Sequence, residues 1–309
     1  MKRRLLFTGG GGAGNEAIFR LWKDRYDLHF ADADPEAINP AIPAERRHAI
    51  PLAADPDFVT GISGLCSDLA IDLLIPGVDE ELPLMPQTKD TLQSTDILVP
   101  DATFVAQSMD KLETATALSA HGLPAPATTT MSEANDIEFP CFAKPRQGRG
   151  SRGIKVLANR EEAAAYQALS GLSGDQILLQ DLLEGREFTV MMSADRRSNL
   201  HAVLPVEISD KRGITIRAAT SGNQIVIDGC RAIHDAFRPK GCYNIQLMLD
   251  RDNHVMPFEI NPRISTTFCL GIAAGADPVE IFGLETPPDQ LTSFQQDLSL
   301  HRHWTNVIH

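Results

Sequence analysis

The chain has 309 residues, 43% of them hydrophobic and 22% charged, an ordinary soluble globular balance with room for a sizeable core in two domains or three small ones. Lys and Arg total 28 against 41 Asp and Glu, a formal charge of −13. This argues against nucleic acid or an anionic membrane as a partner, and it requires any phosphate-bearing ligand to be met by locally placed cations.

Five scattered cysteines (Cys66, Cys141, Cys230, Cys242 and Cys269) include no C-x-x-C pair, so neither a disulfide framework nor a zinc ribbon is suggested and a reducing cytoplasm is the natural setting. The apolar LLF after MKRR is too short for a signal peptide, and no window approaches a membrane span.

The first hundred residues alternate in a βα rhythm. LLFT reads as a strand, AGNEAIFRLWKD as a helix, DLHFAD as a strand, FVTGISGLCSDL as a helix and AIDLLIPG as a strand buried on both faces, with ILVP near residue 99 a further strand. Such alternation implies a parallel sheet covered by helices on both sides, with PGVDEELPLM at the carboxyl end of its strand, where ligands of open α/β sheets gather. From residue 108 the texture becomes α+β. SMDKLETATALSAHG is expected to be a helix capped by Ser108 and stopped by Gly122, and LPAPATTT connects it onward. Strand-like segments follow: PCFAKP, GIKVLA, QILLQDLL, REFTVMMSA, LHAVLPVEI, YNIQLMLD and HVMPFEINP, with RHWTNVIH as a last strand.

The opening run GGGGAG meets two glycine templates. Gly9 and Gly14 satisfy the outer positions of a P-loop, but Asn15 and Glu16 stand where Lys and Ser or Thr are needed, so that reading fails. Gly9, Gly11 and Gly14 also fit G-x-G-x-x-G, and Asp32 and Asp34 lie where an acid could hold a ribose. A four-glycine run meets such templates easily, and a tight structural turn after a strand accounts for it equally well.

The richer constellation lies later. In YNIQLMLDRDNHVMPFEINPRIS, a hairpin with a four-residue loop at 251–254 pairs Asp250 with Val255 and sets Gln246 opposite Glu259, and strand alternation adds Asn261 to the same face. One carboxylate and two amide oxygens then form a hard-oxygen cluster suited to magnesium; the plain alternative is a solvent-facing strand end. Arg263 beyond Pro262 supplies a bidentate cation for an anion bridging the metals. In CFAKPRQGRGSRGIKV, Lys144 closes a strand and the loop after it carries Gly148, Gly150 and Gly153 among Arg146, Arg149 and Arg152. That loop can wrap backbone N–H groups around phosphate, or serve as a basic hairpin turn. In QDLLEGREF, Gln180 and Glu187 bracket a short connector fit for an adenine edge and ribose hydroxyls, or simply join two strands.

Lys111 in SMDK, Lys144 in FAKP, Gln180 to Glu187 in QDLLEGRE, Gln246, and Glu259 with Asn261 in FEINPR occur in an order and at intervals that resemble the ATP-grasp superfamily. The nearest likeness is to the carbamoyl phosphate synthetase large subunit and its single-module relatives. The resemblance implies a Rossmann-like (pre-ATP-grasp) domain at 1–106, which shapes the substrate site without binding NAD, and an ATP-grasp module at 107–309 with a mobile lid at about 124–182. It also implies that Lys111, Lys144, Gly148, Gly150, Ser151, Gln180, Asp181, Leu183, Glu187 and Lys211 bind ATP. Gln246, Glu259 and Asn261 would carry Mg2+, with Mn2+ an acceptable substitute, and Arg263 and Lys144 would be catalytic. Gln180 departs from the family, where an acid is common, and a single module is not expected to make carbamoyl phosphate alone.

The activity this implies is an ATP- and magnesium-dependent carboxylate–amine ligase working through an acyl phosphate on small molecules, with a homodimer expected from frequency alone. Two rivals belong to other classes: an NAD(P)-dependent oxidoreductase built on Gly9, Gly11, Gly14 and Asp32, and a non-catalytic ATP-binding regulatory protein. Asp79, Glu80 and Glu81 could face a cationic amine or cap a helix, and Arg217 could meet a carboxylate.

Overall fold

A computed structural model describes residues 2–134, 137–148, 150 and 152–304. Its first sheet is parallel, in the order β3-β2-β1-β4-β5, from β1 (Arg4–Phe7), β2 (Asp27–Asp32), β3 (Arg47–Ala49), β4 (Leu73–Ile75) and β5 (Asp96–Ile97). The order reverses between β1 and β4, so the ends of these two strands open a crevice at the switch point. The strands are apolar on both faces because both are covered. Leu5 and Phe7 pack with Ile18 and Trp22 of α1 (Asn15–Trp22), while Leu6 and Leu74 pack with Phe58, Ile62 and Cys66 of α2 (Phe58–Asp68). The helices α3 (Met85–Thr91) and α4 (Ala102–Met109) complete this part of the chain.

The expected helix from 108 is broken in two. Ser108 is buried in the last turn of α4, and Asp110 is the N-cap of α5 (Lys111–Ala120), accepting from the amides of Leu112 and Glu113 at 3.0 and 3.3 Å. A carboxylate caps better than a hydroxyl already placed inside a helix, and Asp110 itself adopts an extended backbone that ends α4. Gly122, with φ +67°, follows the C-cap as expected.

Two antiparallel sheets follow. The smaller, in the order β6-β9-β7-β8, uses β6 (Thr128–Thr130), β7 (Cys141–Pro145), β8 (Lys155–Leu157) and β9 (Ile177–Asp181), with α6 (Arg160–Ser170) packed on it through Ala163 and Tyr166. The larger, β14-β13-β10-β11-β12-β15, uses β10 (Arg186–Ala194), β11 (Leu200–Arg212), β12 (Ile214–Thr220), β13 (Gly241–Leu249), β14 (Val255–Asn261) and β15 (Ser299–His301). One face of it buries Val226, Cys230 and Ile233 of α7 (Gln224–Phe237) against Val190, Tyr243 and Leu247.

The other face joins the first domain: Met191, Leu204 and Val206 share a core with Phe7 and Trp22, through Phe268, Leu270 and Ile272 of α8 (Phe268–Ala273) and Val279 of α9 (Pro278–Phe282). Each such fully buried side chain contributes about 1.5–3 kcal/mol, so the first domain is welded to the large sheet. Among the described residues the last strand is β15 at Ser299–His301, and the last five residues of RHWTNVIH, read as a strand from the sequence, lie outside those described. Strand β12, whose Arg217 alternates onto an exposed position, and helices α6 and α7 were not read from the sequence.

Candidate active site

Register brings the oxygen cluster together by a route the sequence did not show. The turn of the β13–β14 hairpin is longer than expected: Leu249, not Asp250, stands opposite Val255, and the Asp250 carboxylate instead accepts from the amides of Asp252 and His254 at 2.9 and 2.7 Å. This offset is cancelled by a bulge at Phe258, between the Leu247–Pro257 and Gln246–Glu259 pairs. The bulge inverts the alternation of β14. Val255 lies with Leu247 and Leu249 in the core, whereas Glu259 and Asn261 face away from it, opposite Gln246 and Asn244.

Asn261 donates its amide nitrogen to Asn244 Oδ1 at 3.3 Å, which leaves its own Oδ1 for a ligand. Gln246 Oε1 accepts from Lys211 Nζ at 3.1 Å, and the same ammonium donates to Glu187 Oε1 at 2.6 Å. Lys211 therefore ties the expected ribose carboxylate to the expected metal ligands. A carboxylate flanked by two amide oxygens is a donor set that fits Mg2+ and offers nothing to a soft metal.

Across from this cluster, Lys144 is 5% exposed and donates to Gln180 Oε1 at 2.9 Å and to the carbonyl of Phe258 at 3.3 Å. Its ammonium also sits 5.8 Å from the centroid of the Phe258 ring. Burial lowers its pKa to about 8, and the nearby Lys111 pushes the same way against the opposing pull of Glu259. Gln180 is fixed on its other side by donating to Thr128 Oγ1 at 2.7 Å. The amide of Asp181 is already committed to the carbonyl of Ala127 at 3.0 Å, and Leu183 lies half-buried in the connector that follows.

Lys111, at the start of α5 and mostly buried, donates to the carbonyl of Gly148 at 2.8 Å. Arg146 does not face outward from the glycine loop. Its Nε donates to both oxygens of Asp110, at 3.0 and 2.8 Å, strapping the loop to the N-terminus of α5. Gly148 and Gly150 have φ of +123° and +72°, a backbone that other residues adopt only with strain. Ser151 and Arg149 lie outside the described residues.

A cavity of about 420 Å3 runs from Lys111, Gly148, Glu259 and Asn261 to Asp79 and Glu80 at the carboxyl end of the first sheet. At its margin Arg263 forms a forked pair with Asp79, Nη2 donating to Oδ2 at 3.2 Å and Nε to Oδ1. The acidic stretch is thus divided: Asp79 meets Arg263, while Glu81 is buried and accepts from Thr8 Oγ1. Thr128, the Phe258 carbonyl and Asp79's part in holding Arg263 have no signal in the sequence: Thr128 meets Gln180 as a cross-strand pair of β6 and β9, 52 residues apart in the chain, and the other two contacts link separate sheets.

The glycine run makes close protein contacts. A methyl group on Gly10 would meet Ile38 at 2.9 Å, one on Gly11 would meet Ala37 at 2.9 Å, and one on Gly14 would meet the carbonyl of Thr266 at 2.7 Å. Asp32 accepts from the amide of Gly11 at 2.9 Å, and Asp34 caps the short helix at 35–37. The turn and its acids are used for packing, which removes the support for a dinucleotide cradle.

A Rossmann-like sheet, a small antiparallel sheet over a larger one, Lys111 sharing a cavity with Glu259 and Asn261, and Lys144 buried between the two sheets define a nucleotide-binding protein of the two-sheet clamp type. The family model described as the ATP-grasp domain matches residues 108–267, and the chain belongs to that family. It is 31% identical over 179 residues to a D-alanine--D-alanine ligase of Marinobacter nauticus, covering 50% of this chain and 54% of that one. It is also 27% identical over 209 residues to a phosphoribosylamine--glycine ligase of Corynebacterium ammoniagenes, covering 62% and 46%. The chain thus spans about half the length of these curated relatives. Among solved structures, a biotin carboxylase of Campylobacter jejuni in complex with βγ-ATP superposes with a TM-score of 0.70 at 15% identity, over 91% of this chain and 70% of that one, a likeness of fold. These matches support the superfamily without singling out carbamoyl phosphate synthetase. Among the described residues no helix is long and apolar enough to cross a membrane.

Proposed function

We propose that the protein is an ATP- and Mg2+-dependent carboxylate–amine ligase that activates a small carboxylate as an acyl phosphate and passes it to an amine. The observation that carries this reading is that Glu259 and Asn261 share one cavity with Lys111, with Gln246 paired opposite Glu259 and the buried Lys144 near enough to feel the Glu259 charge, in a chain similar to two proteins named as ligases. Gln180 and Lys144 hold the purine edge and phosphates, and Glu187, once Lys211 turns to phosphate, holds the ribose. Glu259, Asn261 and Gln246 would hold Mg2+, which when bound offsets charge on the transferring phosphoryl group.

Arg263 steadies the carboxylate and then the acyl phosphate while Asp79 fixes the plane of its guanidinium. The cavity wall of Met109, Ile260 and Pro262 limits water there, so that the amine rather than water displaces phosphate. Within the module at 107–309 the small sheet acts as the lid, at about 124–182, and 1–106 supplies the substrate wall. A cytoplasmic setting belongs to the same reading, supported by five buried free cysteines.

The test is incubation of purified protein with ATP, Mg2+ and a library of carboxylates and amines. ADP and phosphate should appear only with a matching pair, and Glu259→Ala should lower that rate at least about a hundredfold. Full activity in the variant would remove the metal assignment. ATP and Mg2+ binding without turnover on any pair would instead favour a regulatory protein.

A further inference from the structure

The loop at 262–267 carries Arg263, whose carbonyl accepts from Asn244 Nδ2 at 3.2 Å, and its outer flank rests on the glycine turn. Thr266 is the point of contact: a methyl on Gly14 would come to 2.7 Å from its carbonyl oxygen and 3.1 Å from its Cα. Gly14 has φ −93° and ψ −18°, a backbone open to any residue, so glycine is required there by approach and not by conformation. Arg302, just beyond β15, closes the same joint. Its Nε donates to the carbonyl of Thr215 at 3.0 Å, Nη2 to the carbonyl of Thr266 at 3.1 Å and Nη1 to the carbonyl of Ala13. One planar cation thereby gathers the main chain of the first domain's turn, the Arg263 loop and β12, which no lysine could do with the same fixed fork.

We propose that the glycine-rich turn is the seat of the Arg263 loop and that Gly14 and Arg302 are positioning residues for Arg263. This rests on the role given to Arg263 above. Neither residue touches the expected nucleotide side chains, so loosening the joint should leave nucleotide binding intact while misplacing the guanidinium.

The experiment compares Gly14→Ala, Arg302→Ala and Arg302→Lys with Gly64→Ala, a control in α2 whose added methyl would meet nothing within 4 Å. Amide exchange is followed in peptides covering 9–15 and 262–268, alongside the affinity for Mg-ATP and ADP release with the carboxylate and amine library. In Gly14→Ala and Arg302→Ala, both peptides should exchange at least tenfold faster together, Mg-ATP affinity should stay within twofold, and substrate-stimulated kcat should fall at least tenfold at unchanged KM for ATP. Arg302→Lys should recover only part of the loss. Faster exchange in one peptide alone, Gly14→Ala behaving as Gly64→Ala, or a parallel loss of Mg-ATP affinity would overturn the proposal. If the wild-type protein releases no ADP with any substrate, the ligase reading fails, and the paired exchange still decides whether the joint exists.

Discussion

Lys144 donates to the carbonyl oxygen of Phe258, the one residue that bulges from β14. The contact links a strand of the small sheet to the large one, and it exists because the bulge turns that carbonyl out of the ladder. The irregularity that phases Glu259 and Asn261 toward the cavity therefore also supplies an acceptor for the buried ammonium facing them.

Replacing Lys144 with Met keeps the buried stem and removes the cation. Mg-ATP affinity measured by calorimetry should fall at least tenfold, about 1.4 kcal/mol, with the fold retained by circular dichroism. Unchanged affinity would mean that Lys144 only props Gln180.

The depressed pKa of Lys144 has two consequences of opposite sign. In the ligand-free protein the ammonium is lost near pH 8, whereas in the unfolded chain it persists to its ordinary value of 10.5. Between these values the unfolded state binds more protons, so this residue's contribution to stability rises with pH. Nucleotide affinity should do the reverse and decline above about pH 8 as the cation disappears. Titrating affinity from pH 7 to 10 in wild type and in Lys144→Arg checks this; the decline should be absent in the arginine variant.

Arg263 and Asp79 are both mostly buried, and their fork joins the segment after β4 to the loop after β14 beside the cavity. Asp79→Asn leaves the guanidinium without its counter-charge and should cost about 1–3 kcal/mol, the range for an unsatisfied buried partner. A double-mutant cycle with Arg263→Met, read by denaturant unfolding, should recover much of that loss, since the pair and not either residue alone sets the cost. Additive losses would show that the two do not interact.

Protonation should destabilise the first domain through His29. Arg46 can only donate, so Nε2 of His29 accepts from it at 3.0 Å and the ring's proton sits on Nδ1, facing His48 Nε2 at 2.9 Å. Burial first, and then the Arg46 charge, lowers the His29 pKa from 6.5 to about 4. The unfolded chain takes up a proton below 6.5 that the folded one refuses, so stability is lost as pH falls from 6.5 towards 4. In His29→Gln the slope of melting temperature against pH over that range should be shallower than in wild type.

The βα rhythm was legible because strands buried on both faces are continuous apolar runs, and LLFT, DLHFAD and AIDLLIPG each lie over an observed strand. Strand β12 was not legible: ITIRAAT alternates, but its neighbours are set by distant chain. The Gln246–Glu259 pairing was reached through two offsets that cancel, a turn one residue longer than expected and a bulge that restores the count. By itself, then, the sequence determined which residue types recur at which intervals, and period-2 and period-3.6 patterns made most of the elements readable. Tertiary structure alone decided that Asp79 holds Arg263, that Lys144 meets the Phe258 carbonyl, that Arg146 faces Asp110 and that the glycines serve close approach to Thr266. Each is a contact between segments distant along the chain, and such contacts depend on how sheets pack, a geometry that local periodicity does not encode.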